Sequence, residues 1–510
     1  MKIIDSHVHV HSLPDHPWDS PPERIIRLMK QAGISTSCIM PYSDARCIDD
    51  SLITQMLEAG RRFPGKLLAY ARIKPGKESP ELLRKFATRS ICGLKLHPVG
   101  YRLEPTHPYI VDLVKEAGAL GLPTLFHCGD EEYGLPLQIA ELAKLCPETR
   151  IILGHMGGYF HVDDAITAAL KYPNIILETS AMPYPEKIKE AVQKIGAKRI
   201  LFASDGPGCL PALEVHKILC AGLNREDEKA VFAENYLELL PEKLRQKTER
   251  VLREKPICQP IRKLEAVHDA RIHVDVFENG ISKKEHNILR IAGISFMELE
   301  KLLVENQICS ATLISGFHGD NYQKANIRLM EYVKEKSHLL RLRLRPEDIG
   351  QKKIFPEEKN LFDKVEGIFL HPWEDGFSLS DSRIEKLCRL CREAGKSVMV
   401  AGGYPTLTEP SQLLALAESC PETNFIFTSG GQINISGIML EPARGLMKKA
   451  PNVKAETSGI YRQDFIERLI RDFGPERVIF GSGHPLYNLN FELCRMAWLA
   501  EDLAPIWQRP

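Results

Sequence analysis

The 510-residue chain carries most of its motifs twice. G-L-K-L-H-P at 93–98 returns as G-I-F-L-H-P at 367–372, an offset of 274 residues. C-P-E-T-R-I-I-L-G-H-M-G-G at 146–158 returns at the same offset as C-P-E-T-N-F-I-F-T-S-G-G at 420–431. P-N-I-I-L-E-T-S (173–180) and R-I-L-F-A-S-D-G-P (199–207) return 278 residues on, as P-N-V-K-A-E-T-S (451–458) and R-V-I-F-G-S-G-H-P (477–485). Upstream, Q-A-G-I-S (31–35) matches I-A-G-I-S (291–295). A repeat of this period is a duplicated domain, not a solenoid unit. It predicts one domain over 1–240 and a second over 266–510. Between them, 241–265 reads as a charged helical linker, L-P-E-K-L-R-Q-K-T-E-R-V-L-R-E-K-P at its core. Length alone points the same way, because so long a chain exceeds one core of ordinary size.

Within the first copy, short apolar runs alternate with amphipathic stretches. K-I-I-D-S-H-V-H, T-S-C-I-M-P-Y, L-L-A-Y-A-R-I-K, I-C-G-L-K-L-H-P, P-T-L-F-H-C-G, R-I-I-L-G-H-M-G-G, N-I-I-L-E-T-S and R-I-L-F-A-S-D-G-P read as eight strands. Between them P-E-R-I-I-R-L-M-K-Q-A-G and H-P-Y-I-V-D-L-V-K-E-A-G read as helices ending at glycine. Eight strand–helix repeats predict a (β/α)8 barrel in each copy, hence an α/β fold of two tandem TIM-like barrels. Each strand of the first copy meets a polar residue at its C-terminal end: His7 and His9, Lys95 and His97, His127, His155, Glu178, Asp205. In this architecture that end carries the active site.

The richest of these strand ends is the first. Side chains alternate along a strand, so Asp5, His7 and His9 of D-S-H-V-H face one way. Two imidazoles spaced so can bind one divalent cation of the first transition row. Together, D-x-H-x-H, G-x-K-L-H-P, F-H-C-G, G-H-M-G-G and S-D-G-P, in this order on successive strands, resemble the metal-dependent amidohydrolase superfamily. The likeness is to its amidohydrolase-2 branch, which includes relatives of aminocarboxymuconate semialdehyde decarboxylase. The resemblance implies that His7, His9, His127 and Asp205 hold one divalent ion, zinc first among the candidates. It leaves Asp205 as ligand or as general base, and assigns His155 to polarising a substrate carbonyl or shuttling protons. Asp5 supports the ligands. Lys95 either meets a carboxylate or, as in other branches, is carbamylated and bridges two metals. His97 acts directly or shapes the loop after it.

Tyr42, Arg72, Lys74 and Glu178 are candidate substrate contacts; the two cations among them would suit an anionic molecule. The proline-rich segment 11–22, with Trp18, could wall the site. The expected activity is hydrolysis of an amide, lactone or other C–N or C–O bond of a small molecule. A non-oxidative decarboxylase or hydratase acting on an unsaturated or aromatic carboxylate is the alternative, and a non-catalytic binding protein is the alternative of another class.

The second copy reads differently. Aligning D-S-H-V-H with R-I-H-V-D sets Asp5 against Arg271, His7 against His273 and His9 against Asp275. His127 then faces Ala401, His155 Ser429, Lys95 Phe369, and Asp205 Gly483. A degenerate barrel without the metal ligands follows, packed against the first, with homo-oligomers a further expectation. His273, Asp275 and His484 are candidates for a different metal site there. Arg341, Arg343 and Arg345 share a face that would bind an anion or form salt bridges.

Sixty-seven basic residues against 67 acidic ones leave no basic field for nucleic acid. No apolar run approaches the ~18–20 residues of a membrane span. A metal motif beginning at residue 5 leaves no secretory leader before it. Thirteen scattered cysteines fit reduced thiols in the cytoplasm. The one C-x-x-C, Cys388 and Cys391, falls in a helical pattern, which disfavours a zinc ribbon or redox pair.

Overall fold

The structure, a computed structural model, describes the chain except residues 12–18, 43–49, 130–131, 253–261, 278–292, 320–321, 350–353, 500 and 509–510. It divides into two compact units, Met1–Pro260 and Ile261–Pro510. Each contains an eight-stranded parallel sheet in sequential strand order.

In the first unit the strands are β1 (Ile4–His9), β2 (Thr36–Met40), β3 (Leu67–Arg72), β4 (Gly93–Leu96), β5 (Thr124–Phe126), β6 (Ile151–Leu153), β7 (Ile175–Glu178) and β8 (Ile200–Leu201). Backbone bonds between the last strand and the first close the barrel. Ser6 N–H donates to Phe202 O (3.2 Å), Asp205 N–H to His7 O (2.8 Å) and His9 N–H to Gly206 O (2.8 Å). Helices between strands bury one stripe each. Pro22–Ala32 opens on proline, buries Ile25, Met29 and Ala32 at helical spacing, and stops at Gly33 with φ 69°.

The barrel interior is apolar over most of its depth. Cys38, Leu68, Tyr70, Leu125, Ile152, Ile176 and Leu201 form one cluster with Tyr236, Leu240, Leu244 and Leu252. The last two flank and belong to the charged stretch over 241–265, where the helix Glu242–Val251 also buries Thr248. Each buried leucine contributes about 2 kcal/mol. The exposed Arg245–Glu242 pair, at 4.0 Å, contributes ~1 kcal/mol at most. Burial therefore sets where this helix lies, and it lies on the first unit.

In the second unit the strands are β9 (Val267–Val274), β10 (Ile308–Ser315), β11 (Leu339–Arg343), β12 (Val365–Leu370), β13 (Ser397–Val400), β14 (Phe425–Phe427), β15 (Val453–Glu456) and β16 (Val478–Ile479). Its closing bonds reproduce those of the first unit: Ala270 N–H to Phe480 O, Gly483 N–H to Arg271 O, and His273 N–H to His484 O. These bonds correct the register read from sequence. Ala270 occupies the place of Ser6, Arg271 that of His7 and His273 that of His9, so D-A-R-I-H, not R-I-H-V-D, corresponds to D-S-H-V-H. Asp269 is the counterpart of Asp5, and both carboxylates accept the N–H of a serine on the closing strand, Ser204 and Ser482 at 2.9 Å each.

The arginines of β11 serve the barrel's own salt bridges. Arg343, on the register position of Arg72, binds Asp375 at 3.0 Å and Glu374 at 2.5 Å; Arg341 meets Glu366 at 3.4 Å. No helix is long and apolar enough to cross a membrane among the described residues. Cys388 and Cys391 are buried thiols on one helix, and burial pushes Cys391 up to about 12.

Candidate metal centre

The site begins with β1. Alternation turns Asp5, His7 and His9 into the barrel, and all three are buried. At its rim, the turn after β8 puts Asp205 opposite them in the left-handed region, φ 55°. His9 Nε2 lies 3.2 Å and His7 Nε2 3.6 Å from Asp205 Oδ1. Donors about 2 Å from a tetrahedral zinc stand roughly 3.3 Å from one another. The two imidazoles and the carboxylate match that spacing, and their mixture of nitrogen and oxygen suits a first-row divalent ion. Of the groups able to hold an ion among the described residues, one is this trio and the other is His7, His155 and Glu178. The donor set therefore fits a metal.

Glu178 gives His7 its orientation. Its Oε2 lies 3.3 Å from His7 Nδ1 and accepts the His155 N–H at 3.1 Å, while Oε1 accepts the Ser180 N–H at 2.6 Å. A carboxylate accepting on both oxygens leaves His7 to donate from Nδ1, which turns the Nε2 lone pair toward Asp205. Glu178 is fully buried beside His7. His9 is oriented by packing instead. Its Nδ1 has no hydrogen-bond partner among the described residues, and its ring stacks on Tyr42 at 4.3 Å and 9°.

His127 and His155 complete the interior arc. His155 Nε2 faces His127 Nδ1 at 3.2 Å, and His155 Nδ1 faces Ser180 Oγ at 2.9 Å. His127 lies beside the trio, belonging to neither group of donors. Lys95, buried on β4, reaches His7 Nε2 at 3.3 Å and so stands at the centre of the arc. Arg72 is buried at the end of β3 with Nη1 on Pro41 O at 3.2 Å, whereas Lys74 is exposed. His97 turns its Nδ1 onto Gly100 N–H at 3.1 Å and caps the short helix Pro98–Tyr101, its ring 4.4 Å from that of His127. His371 does the same for Glu374 N–H in the second unit, where of the His7, His9, His127 and Asp205 positions only that of His9 keeps its residue type, as His273. The proline-rich wall, residues 12–18, lies outside the described residues.

Electrostatics keep the donors ready for a cation. Burial, followed by the Lys95 charge, holds His7 well below its ordinary value, and burial lowers His9. The same cause takes His127 down to about 3 and His155 down to about 4. Imidazoles that resist protonation result. Burial works against the Asp205 carboxylate, but the hydrogen bond from His9, with the adjoining His7, outweighs it and holds Asp205 well below the usual range. Asp5 goes the other way: burial raises it to about 8 despite its bonds to Ser204. It ties β1 to β8 through Ser204 Oγ (2.5 Å) and N–H, one step below the ligands.

The sequence pattern of the amidohydrolase family matches residues 4–241 and 362–505. This chain belongs to the amidohydrolase family. The first match spans the barrel that carries His7, His9 and Asp205; the second begins just before β12. No curated protein matches the chain. Solved structures similar to it include 5-carboxyvanillate decarboxylase LigW from Sphingomonas paucimobilis, 14% identical, covering 47% of this chain and 98% of that one at a TM-score of 0.38. 2,6-Dihydroxybenzoate decarboxylase from Rhizobium is 17% identical over 47% of this chain and 98% of its own, TM-score 0.38. A Pseudomonas putida protein assigned as a 2-pyrone-4,6-dicarboxylic acid hydrolase is 19% identical over 47% and 97%, TM-score 0.39.

Three groups that matter were not singled out in the sequence. Ser180 holds His155, Ser204 holds Asp5, and Glu214 accepts the Ala181 N–H at 3.1 Å in a buried pair with Lys217. All three have counterparts in the second unit, Ser458, Ser482 and Glu492, the last paired with Arg495. Persistence through the repeat was the signal, and it marks fold-bearing residues. In the second unit no group of three metal donors occurs among the described residues, so His273, Asp275 and His484 do not assemble the alternative metal site.

Proposed function

We propose that the first unit is a metal-dependent hydrolase of an amide, lactone or other C–N or C–O bond in a small acidic molecule. The observation that carries this reading is the donor trio of His7, His9 and Asp205, spaced at 3.2–3.6 Å where they meet Asp205. With His127 beside them, these residues would hold one divalent ion, zinc by its donor chemistry. When bound, that ion supplies a Lewis acid that acidifies water and polarises a carbonyl.

The chain's own groups do the rest. Asp205 is the least buried of the trio, 14% exposed against 1% for His7 and 9% for His9, and takes the proton of the attacking water. His155, fixed by Ser180, donates to the carbonyl oxygen as negative charge develops, and Asp205 passes the proton it took on to the leaving atom. Lys95 and Arg72 are buried cations on neighbouring strand positions, and they receive a substrate carboxylate. A reducing, cytoplasmic setting and a small-molecule substrate belong to the same proposal; Cys38, Cys92 and Cys146 are unbridged.

Decarboxylation is the competing reading, because the same cations and acid–base pair would serve it. A product screen over lactones, amides and aromatic or unsaturated carboxylates in 18O-labelled water separates the two. Hydrolysis predicts one labelled oxygen in the product and no carbon dioxide. Carbon dioxide release without label in the organic product would replace the hydrolase reading with the decarboxylase one.

A further inference from the structure

The centre of the second barrel has lost its metal ligands and gained a charge. Arg271 stands where the first barrel has His7, and His273 where it has His9. Gly483 takes the place of Asp205, at φ 63°, and a Cβ there would lie 2.4 Å from Arg271 Nη2. The guanidinium thus reaches the volume that the Asp205 carboxylate fills in the other unit. Phe369 replaces Lys95 and sets its ring 5.6 Å from that of His273.

Arg271 and His273 are buried yet poorly matched. Among the described residues the carboxylate facing the Arg271 guanidinium is Glu456, whose Oε2 lies 3.6 Å from Nη1, too far for a hydrogen bond. Glu456 is already occupied by the Ser458 N–H and O–H at 2.9 Å each and by the Ser429 N–H at 3.3 Å. Arg271 Nε and both ring nitrogens of His273 have no hydrogen-bond partner among the described residues. The neighbouring cation, Arg343, is paired with Glu374 and Asp375, whereas no carboxylate lies within hydrogen-bond distance of the Arg271 guanidinium among the described residues. Buried polar groups are rarely left so, and a guanidinium beside an imidazole N–H asks for a planar anion.

We infer that the second barrel binds a small carboxylate between Arg271 and His273, at the place where the first barrel gathers its cation ligands. The duplication then inverts the polarity of the site: one copy collects a metal, the other an anion. This rests on the second unit alone and stands whatever the first unit catalyses.

Calorimetric titration of the full chain with acetate and with oxalate tests it. At least one of them binds with an equivalent that persists in Asp205→Asn, whose lesion is in the first unit. Gly483→Asp supplies an internal carboxylate to Arg271, and Asp205 shows that aspartate accepts this turn. That variant, whose Cβ would displace the Arg271 guanidinium from its place, weakens carboxylate binding at least tenfold. Arg271→Gln weakens binding as much. No binding to the wild type, binding lost in Asp205→Asn, or binding unchanged in Gly483→Asp overturns the inference.

Discussion

His7 depends on Glu178 for its tautomer, and that dependence can be measured. Glu178→Gln keeps the shape but puts an N–H where Nδ1–H donates, or forces the amide oxygen to serve alone. Losing such an outer partner costs ~10–100-fold in metal affinity; competition with a chromophoric chelator should show a loss in that range, and an unchanged affinity would detach Glu178 from the ligand. The histidines also set an acid limit. An unfolded histidine titrates near 6.5, whereas folded His127 and His155 wait until about 3 and about 4. Between those values the unfolded chain binds protons that the folded one does not. Stability is therefore complete above pH ~6.5 and falls as pH drops, by roughly 2 kcal/mol per histidine at pH 5. Hydrogen exchange of the β5 and β6 segments should show it, and His127→Phe should flatten the slope; equal protection at pH 7 and pH 5 would contradict it.

Among the elements, the pairing of the first strand with the last is the decisive one, since it closes the barrel and brings Asp205 to the histidines. Ser204 anchors it by donating twice to Asp5. Ser204→Ala leaves a buried carboxylate oxygen without its partner, which costs ~1–3 kcal/mol. Ser482→Ala should cost the second unit less through its side chain, because Asp269 is held at 2.9 Å by the Ser482 N–H, a bond that survives the change. Denaturant melts of the two variants, with protease cleavage reporting which unit opens, compare them; equal losses would place the closure elsewhere. The strands and helices were legible because apolar runs, prolines and glycines mark them locally. The register of β9 was not. D-A-R-I-H and R-I-H-V-D differ by a slip of two residues, and a slip of two leaves every side chain on its original face. Only the backbone bonds of Ala270, His273 and Gly483 decide between them. The contact of Glu178 with His7 joins β7 to β1, 171 residues apart, and no local pattern records it.

For the whole molecule, the two units share a skeleton and differ at its centre. Asp5, His97, Glu178 and Ser204 have counterparts in Asp269, His371, Glu456 and Ser482, so the two units share the residues that shape the barrel and differ at most of the candidate ligands. His7, His127, Lys95 and Asp205 became Arg271, Ala401, Phe369 and Gly483. A chelator should then act on one unit only. Removing an ion held at a thousand times its dissociation constant withdraws about 4 kcal/mol, and that loss should appear in the protease resistance of the first unit and leave the second unchanged. The most direct test of the account is the metal content of the purified full chain by mass spectrometry. The prediction is one equivalent of a divalent ion per chain, absent from His7→Ala and from Asp205→Asn and retained in His273→Ala. Two equivalents, none, or one that survives both first-unit substitutions would contradict it.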